Sequence, residues 1–390
     1  VDRFGITDPK TRAEILSAAI RVTPGKHLPS VLFVVSDLAP GGGQMFAVRM
    51  ANAWAAMGGR AVLGNVAYLP SHDKVVAQIS PRVAFIDKFD AAQNSLQSVC
   101  AAYDIDLIHS SLWWADAFVA THGIEEMADM PWVTTMHGCH ESVLEERQID
   151  ERFPELMDYM RERMDTWVPI ADKNMRVFDA YGMPTHVKRV PNGAPVTRNR
   201  SITRAELGLR ENAVVLCLAS RAIESKGWSA AAEIVQSLNA SGAAGDLMLI
   251  GEGDAHDVLQ DRALPHVHLY GHQADIHDYM AVCDIGVLPS FFVGESMPLV
   301  LLELMGLSKP IVATDAGEIP YILGADDTTC GVIVPLINGQ GLDVHAFEKA
   351  LRDLIATPDK RIQMGKAAKC RYDAHFTIEK MMDQYREIYD

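Results

Sequence analysis

Two carboxylates eight residues apart, Glu295 and Glu303, stand in the segment GESMPLVLLE after an apolar, strand-like run. Pro298 suits a first helical turn, so the sequence predicts Glu295 in a loop and Glu303 one to two turns inside a helix. Eight helical residues span about 12 Å, which is too far for a glycosidase acid/base pair at roughly 5–9.5 Å. We therefore expect the two carboxylates to hold different parts of one long ligand. A carboxylate buried in this apolar helix would also need a partner.

Two basic side chains and the backbone amides at the start of a predicted helix could bind phosphate. Arg221 and Lys226 lie five residues apart in ASRAIESKGW, after the apolar run VVLCLAS, and together they could grip a diphosphate. An ordinary solvated loop is the alternative interpretation. The backbone amides around Leu299 and Val300, at the start of the predicted helix, could meet the same phosphate.

A glycine-rich turn, APGGGQ, joins the first predicted strand to the first helix. Its Gly42 and Gly43 would let backbone amides approach an anion at a helix N-terminus, although a purely structural tight turn is an equal alternative. The adjacent glycines lack the G-x-G-x-x-G spacing, and no acidic residue ends the next strand, NVAYLP. A nicotinamide-dinucleotide site is therefore not predicted.

His137 ends the apolar run WVTTMHG and has three interpretations. A strand-end histidine without a function is the simplest, and a hydrogen-bonding or charge-stabilising histidine at a ligand site is the second. A metal site built with Cys139, His140 and Glu141 lacks a matching second group of ligands, so no metal is expected.

Strands and helices in alternation must position these residues. Apolar runs typical of strands buried on both faces alternate with amphipathic stretches such as 44–58, which predicts parallel sheets with helices packed on them. Ligands bind such sheets beyond the carboxyl ends of the strands. The predicted strands are 30–38, 60–69, 106–112 and 132–138 in a first set and 214–220, 246–253, 267–272, 284–290 and 310–315 in a second.

Composition excludes several classes of protein. The 390 residues suit two or three domains, and a net charge of −16 argues against a nucleic-acid-binding surface. No stretch approaches the ~18–20 uninterrupted apolar residues of a membrane helix. Six scattered cysteines without a Cys-x-x-Cys pair fit a reducing cytosol better than a disulfide scaffold.

Taken in order, these segments resemble the retaining glycosyltransferases of family 4, which are group 1 enzymes with the GT-B fold. The most specific likeness is to the family's Glu-x7-Glu segment and the strand after it, in GESMPLVLLELMGLSKPIVATDAGEIPYIL (294–323). CLASRAIESKGW, LMLIGEGD, VHLYGH and VPNGA also resemble family segments. The likeness runs from about residue 30 to the C-terminus.

The resemblance implies an α/β protein with two facing Rossmann-like domains and a deep cleft between them. The turn at Asn192-Gly193 marks the expected boundary. An amphipathic C-terminal helix is expected to pack back on the first domain. We expect an N-terminal helical extension at 1–29, an acceptor-side domain at 30–195, a donor-side domain at 196–372 and the returning helix at 373–390.

The resemblance also implies a role for each motif residue. Arg221 and Lys226 match the pair that holds the donor's diphosphate, and Glu303 matches the carboxylate that binds the nucleotide ribose. Glu295 matches the carboxylate near the transferred sugar, and His137 matches a histidine beside it; these two are the expected catalytic residues. The other expected donor-binding residues are Gly42, Gly43, Gly251, Gly253, Gly271, His272, Ser296, Met297, Leu299 and Val300.

The implied activity is transfer of a sugar from a nucleotide-diphosphate sugar to a saccharide or lipid-linked acceptor. Retention of anomeric configuration, independence of metals and cofactors, and a cytoplasmic location are part of the same expectation. Peripheral contact with the inner face of a membrane and membership of a longer multidomain chain are left open. A GT-B nucleotide-sugar epimerase and a non-catalytic scaffold that binds nucleotide sugars or saccharides are the alternatives.

Two departures from the family pattern leave the donor sugar open. Asn192-Gly193 is followed by Ala194-Pro195, where the family commonly has a small residue and then Asp. Glu318 stands where a glycine is frequent and would add negative charge near the sugar. Trp113, Trp114 and Trp132 could stack on a sugar, although their place beside strands favours packing.

Overall fold

The computed structural model describes residues 28–90, 94–138, 152–324 and 330–390, which divide into two units. Unit 1 contains the described residues up to Pro191 together with Ile378–Asp390, and unit 2 is Asn192–Thr377. The first 27 residues of the expected N-terminal extension lie outside the described residues, as do Cys139, His140 and Glu141.

Unit 1 is built on a six-stranded parallel sheet in the order β3-β2-β1-β4-β5-β6. The central strands are apolar and buried on both faces, because helices cover the sheet on both sides. The strand order reverses between β1 and β4, which is where open parallel sheets bind ligands. The strands are β1 (Val31–Val35), β2 (Ala61–Asn65), β3 (Ala84–Ile86), β4 (Leu107–Ser111), β5 (Trp132–Met136) and β6 (Thr166–Pro169).

The described helices of unit 1 before its C-terminal segment are mostly short. The longest buries the side chains of Phe46, Met50 and Trp54 along one stripe, at the 3.6-residue spacing expected of an amphipathic helix. These helices are α1 (Gly42–Ala56), α2 (Asp73–Val76), α3 (Leu96–Ala102), α4 (Trp113–Thr121), α5 (Phe153–Arg163) and α6 (Phe178–Tyr181), with 3₁₀ turns at Glu125–Met127 and Asp172–Val177.

Unit 2 repeats the architecture with a second parallel sheet in the order β12-β11-β10-β7-β8-β9. Its order reverses between β7 and β10, so loops from these two neighbouring strands diverge at the carboxyl edge and leave room for a ligand. The strands are β7 (Val214–Ala219), β8 (Gly245–Ile250), β9 (Val267–Leu269), β10 (Ile285–Leu288), β11 (Ile311–Thr314) and β12 (Gly331–Val334).

The described helices of unit 2 pack on both faces of this sheet. Among the described residues, no helix is both long and apolar enough to span a membrane. The helices are α7 (Trp228–Ala240), α8 (Asp254–Arg262), α9 (Ile276–Met280), α10 (Leu299–Gly306), α11 (Ile319–Leu323), α12 (Val344–Ala356) and α13 (Pro358–His375), with 3₁₀ turns at Ala205–Leu207 and Glu224–Lys226.

The last helix, α14 (Ile378–Tyr389), belongs to unit 1, as the fold class predicts. Its buried face consists of Met381, Met382, Tyr385 and Tyr389, which join the same core as α1. The divisions observed fall a few residues from the expected ones. Residues 192–195 are bonded into unit 2, and the helix in which residue 372 lies continues to His375.

Candidate functional site

The carboxyl edge of the unit 2 sheet gathers most of the residues singled out by sequence. Because the strands are parallel, the loops that follow β7, β8, β9 and β10 all emerge at this edge. Arg221 and Lys226 follow β7, Gly251 and Gly253 follow β8, Gly271 and His272 follow β9, and the segment from Glu295 to Glu303 follows β10.

A buried ion pair joins the loops of the two central strands. Lys226 Nζ donates to Glu295 Oε2 over 2.5 Å, and the Ser290 hydroxyl donates to the same oxygen over 2.7 Å. Lys226 and Glu295 are only 9% and 5% exposed. Thr314 Oγ1 on β11 donates to the Ser290 carbonyl over 2.5 Å and so fixes this loop from the other side. The cation predicted for phosphate and the carboxylate predicted for sugar therefore lie side by side.

An aromatic ring brings the second cation to the same place. Lys226 Nζ lies 4.9 Å from the centroid of the Phe292 ring, and Arg221 Cζ lies 5.5 Å from it. Both distances are within cation–π range. The ring thus gathers two positive charges on the loop at the point where the strand order reverses.

Glycines allow the loops after β7 and β8 to touch. Gly251 has φ +146°, and a Cβ there would lie 1.9 Å from the Ser220 carbonyl oxygen. At Gly253, with φ +137°, a Cβ would lie 2.6 Å from the Ala222 carbonyl oxygen. A side chain at either position would push these loops apart. The two glycines therefore allow the loops after β7 and β8 to pack closely beside Arg221.

The loop after β9 is bonded to the loop after β8. The amide of Gly251 donates to the Gly271 carbonyl over 2.8 Å, and the amide of His272 donates to Glu252 Oε1 over 3.2 Å. Three successive loops are therefore held in one layer by backbone contacts.

The segment that leads into α10 is fixed by residues from distant parts of the chain. The Asn192 side-chain amide donates to the Met297 carbonyl over 3.2 Å. Gly317, at φ +56°, lies against the Glu295 and Ser296 carbonyls, where a Cβ would be 2.4 and 2.7 Å from their oxygens. The Glu318 amide donates to the Ser296 carbonyl over 2.8 Å.

Helix α10 begins at Leu299, so the amides of Leu299 and Val300 lie in its first turn and Glu303 lies in the second. Gly286 on β10 lets the helix approach the sheet, because a Cβ there would be 2.5 Å from Leu304 Cδ1. Glu303 is 4% exposed, and its Oε1 lies 3.7 Å from Nε2 of His277. The buried carboxylate thus faces an imidazole, a neighbour that the sequence did not indicate.

In unit 1 the glycine turn adjoins a buried carboxylate. Asp37 accepts from the Gln44 side chain and the Ala39 amide, each over 3.0 Å. Gly43 lies against the side chain of Leu112, where a Cβ would be 2.7 Å from Cδ2. The loops after β1 and β4 therefore meet at the place where this sheet reverses its order.

His137 follows the end of β5, and its ring makes an edge-on contact with Phe46 of α1 at 4.4 Å between centroids. A second histidine, His109 on β4, is fully buried. Burial, with a smaller effect of His137, lowers the pKa of His109 to about 3. His109 is therefore neutral in the folded protein at physiological pH.

Of the three tryptophans considered for sugar stacking, Trp113 and Trp132 are core residues of unit 1. Trp114 is half-buried and stacks on Tyr68, with 4.5 Å between centroids and 13° between ring planes. Tyr68 is 47% exposed and follows β2. The pair thus forms an accessible aromatic surface at the carboxyl edge of the unit 1 sheet.

No group of three or more His, Cys, Asp or Glu side chains able to hold a metal occurs among the described residues. The five cysteines in those residues are free thiols. The metal-free chemistry implied by the resemblance stays a prediction.

Sequence reasoning missed Ser290, Phe292, Asn192 and His277 as neighbours of the site. Ser290 closes the run DIGVLPS, so its position at a strand end was a usable signal. The contacts of the others join residues such as Asn192 and Met297, 105 positions apart, which no local pattern reveals.

Residues 212–357 match the family described as Glycosyl transferases group 1. A GDP-mannose-dependent monoacylated α-(1-6)-phosphatidylinositol monomannoside mannosyltransferase from Corynebacterium glutamicum is 24% identical over 58% of this chain and 62% of its own length. The putative teichuronic acid biosynthesis glycosyltransferase TuaC of Bacillus subtilis is 23% identical over 73% of this chain and 71% of its own. The crystal structure of HepE from Anabaena with UDP-glucose superposes with a TM-score of 0.73 at 18% identity, covering 92% and 99% of the two chains.

Proposed function

We propose that this chain, whose residues 212–357 match the group 1 glycosyltransferases, transfers a sugar from a nucleotide-diphosphate sugar to a saccharide or lipid-linked acceptor. The proposal includes retention of anomeric configuration and a reaction without a metal. HepE, whose structure contains UDP-glucose, and the Corynebacterium glutamicum relative, which is named as GDP-mannose-dependent, support a nucleotide-sugar donor.

The observation that carries the proposal is the buried cluster of Lys226, Glu295 and Ser290 beside Arg221. A lysine and a carboxylate held this close in a nearly dry loop form a fixed charge pair at the edge where parallel sheets bind ligands. Fixed positive charge is what a departing nucleoside diphosphate requires, because negative charge grows on it as the sugar bond breaks.

The proposed division of labour follows the positions of the side chains. Arg221 and Lys226 stabilise the diphosphate, and the first-turn amides of α10 add their dipole to the same phosphate. Glu295 orients the hydroxyls of the sugar, next to the lysine that meets its phosphate. Glu303, one helical turn further along the same element, binds the ribose.

On the acceptor side, we assign His137 a place beside the reacting sugar and Gly42-Gly43 a place near donor phosphate and acceptor. The Tyr68–Trp114 stack supports a saccharide in the acceptor, because an exposed aromatic face binds the C–H face of a sugar ring. Contact with a membrane surface and membership of a longer chain stay predictions of the sequence.

The first test is a thermal-shift screen of the chain against UDP, GDP, ADP and dTDP, repeated with Arg221→Ala. A ligand that binds only the folded state raises the melting temperature by mass action. We expect a shift for one diphosphate that Arg221→Ala reduces or abolishes. No shift with any diphosphate would contradict nucleotide-sugar binding.

Product analysis then separates the transferase from its two alternatives. With the matching nucleotide sugar, an epimerase converts the donor without any acceptor, and a scaffold leaves it unchanged. A transferase releases the nucleoside diphosphate, and an acceptor glycoside with the donor's anomeric configuration shows retention. The inverted anomer would contradict that part of the proposal.

A further inference from the structure

His277 opens helix α9 and is buried next to the carboxylate proposed to bind ribose. Its side chain is 11% exposed, and its Nε2 lies 3.7 Å from Glu303 Oε1. Nε2 makes no hydrogen bond to any of the described residues. A buried ring nitrogen without a hydrogen bond lowers the stability of the folded state. A movement or a ligand that brings Nε2 into hydrogen-bond distance of the carboxylate is therefore favourable.

The other ring nitrogen is held by the backbone of Thr197. Nδ1 lies 3.3 Å from the Thr197 amide nitrogen and 3.1 Å from its carbonyl oxygen. With the amide as donor, the neutral ring carries its proton on Nε2; with the carbonyl as acceptor and Nε2 also protonated, the ring is an imidazolium. Both states direct an N–H at Glu303, whereas the remaining tautomer would set a lone pair against a carboxylate.

The chain segment around Thr197 is itself fixed to the start of α9. The amides of Asn199 and Arg200 donate to the two oxygens of the buried Asp278 carboxylate, over 3.0 and 3.1 Å. The Asn199 side chain donates to Asp275 Oδ1 over 2.6 Å. The position of the imidazole is thus set by a strap, residues 197–200, that is bonded on both sides of the histidine.

We propose that His277 is a positioning residue for Glu303: when a ribonucleoside diphosphate binds, the His277 Nε2–H closes on one oxygen of the Glu303 carboxylate, so that the other oxygen faces the ribose hydroxyls. This inference rests on the proposed function and deepens it. It predicts that His277 affects binding affinity through the ribose of the ligand and not through the base or the diphosphate.

The test uses calorimetric titration of the full chain with the ribonucleoside diphosphate that the thermal-shift screen identifies and with its 2′,3′-dideoxy form. In His277→Ala we expect the ribonucleotide that binds to lose about tenfold in affinity, the size of one hydrogen bond to a charged group. The dideoxy form, which has no hydroxyls for Glu303, changes less than twofold. Glu303→Ala should remove the preference for ribose. Adding His277→Ala to that variant should then leave the nucleotide affinity unchanged.

Two conservative variants keep the test independent of whether the alanine variant folds. His277→Gln can place an amide near the position of Nε2, and we expect it to recover most of the ribose preference. His277→Asn reaches only as far as the Nδ1 side, so it keeps the contact with Thr197 but loses the donor to Glu303. We expect it to behave like the alanine variant.

Three outcomes overturn the inference. Equal losses for ribose and dideoxy forms would mean that His277 supports the fold only. Unchanged affinity of His277→Ala for a diphosphate that the wild type binds would also overturn the positioning role, while the proposed function stands. Failure of the wild type to bind any of UDP, GDP, ADP and dTDP would overturn the proposed function and this inference together.

Discussion

Lys226 and Glu295 form an ion pair from which water is nearly excluded, and this burial determines how the pair affects the stability of the protein. Their attraction roughly repays the cost of taking both charges out of water, but removing one partner leaves the other uncompensated. The pair therefore adds little to net stability while being sensitive to single changes. In the proposed function, the pair presents a charge of fixed position to the nucleotide sugar.

We predict that Lys226→Met and Glu295→Leu each lower the free energy of unfolding by about 3–5 kcal/mol, and that the double variant loses much less than the sum. Urea denaturation of the four proteins gives the coupling. Lys349→Met is the matched control, because its pair with Asp353 is exposed and should contribute below about 0.5 kcal/mol. Additive losses in the double variant would contradict a coupled pair. Activity should stay lost even where stability returns.

Substitutions of Glu303 and His137 should affect different quantities, the first nucleotide affinity and the second kcat. We predict that Glu303→Ala weakens nucleoside diphosphate binding by tenfold or more, because this change removes the buried carboxylate that we propose pairs with the ribose hydroxyls. His137→Ala should keep that affinity within twofold and lower kcat by about 10²-fold, the size of one lost charge-stabilising donor. Titration calorimetry and initial rates measure the two effects. Equal affinity of wild type and Glu303→Ala for the diphosphate would remove Glu303 from the site.

At the scale of elements, the sequence predicted nine strands, and each of them is a strand of the structure. The three it missed are β3, β6 and β12. They have three or four residues and lie at the edges of their sheets, so their apolar runs are too short to stand out, and β6 ends in Pro169. Short edge strands are defined by the neighbour they pair with, so their own composition does not reveal them.

The sequence could predict at which edge of a sheet each site residue lies, because that depends only on which strand the residue follows. Arg221, Lys226, Glu295 and Glu303 could be placed at one sheet edge because parallel topology brings strand ends together. Their partners could not be predicted. Lys226 meets Glu295 across 69 positions, and this contact depends on Gly317 and neighbouring loops packing closely enough to bury both charges.

Helix α14 is attached to the unit 1 sheet by buried polar contacts as well as by its apolar face. The Tyr389 hydroxyl bonds His109 Nδ1, and His109 Nε2 lies 2.8 Å from Thr135 Oγ1. Thr135 Oγ1 in turn lies 2.7 Å from the Tyr385 hydroxyl. Burial raises the pKa of both tyrosines, so both stay neutral hydrogen-bonding groups.

We predict that Tyr389→Phe destabilises the protein by about 1–3 kcal/mol, because His109 Nδ1 is left buried without its phenol partner. Tyr385→Phe should cost less, since Thr135 keeps its contact with His109. Hydrogen exchange of peptides covering Ile378–Tyr389 and urea denaturation measure both. Tyr68→Phe is the control, because its ring is largely exposed and stays stacked on Trp114. Equal effects of all three changes would contradict the network.

At the scale of the whole molecule, unit 1 is assembled from two distant parts of the chain, whereas unit 2 is one continuous segment. The core that α1 shares with β1 is completed by side chains from the last 13 residues. Unit 1 therefore cannot complete this core until Ile378–Asp390 have been synthesised, whereas every residue of unit 2 precedes Ile378. Most of the proposed donor-binding residues lie in the continuous unit 2, and the contacts described above for Lys226, Glu295 and Glu303 come from within that unit.

The neutral His109 couples the stability of the whole chain to pH. Its pKa is about 3 in the folded protein, chiefly because of burial, and about 6.5 in an unfolded chain, so the unfolded state binds more protons below pH 6.5. The stabilisation is complete above the unfolded pKa and is lost as the pH falls toward the folded one, by about 1.4 kcal/mol per pH unit.

Between pH 7.5 and 5 we therefore predict that the wild type loses about 2 kcal/mol more stability than His109→Gln, which cannot take up that proton. Other groups that titrate in this range are common to both proteins, so the difference between the two isolates His109. Urea denaturation at the two pH values measures it, and the sign is fixed: the variant gains relative to the wild type as the pH falls. A difference of zero would mean that His109 titrates alike in the folded and unfolded chains, which contradicts its burial between α14 and the sheet.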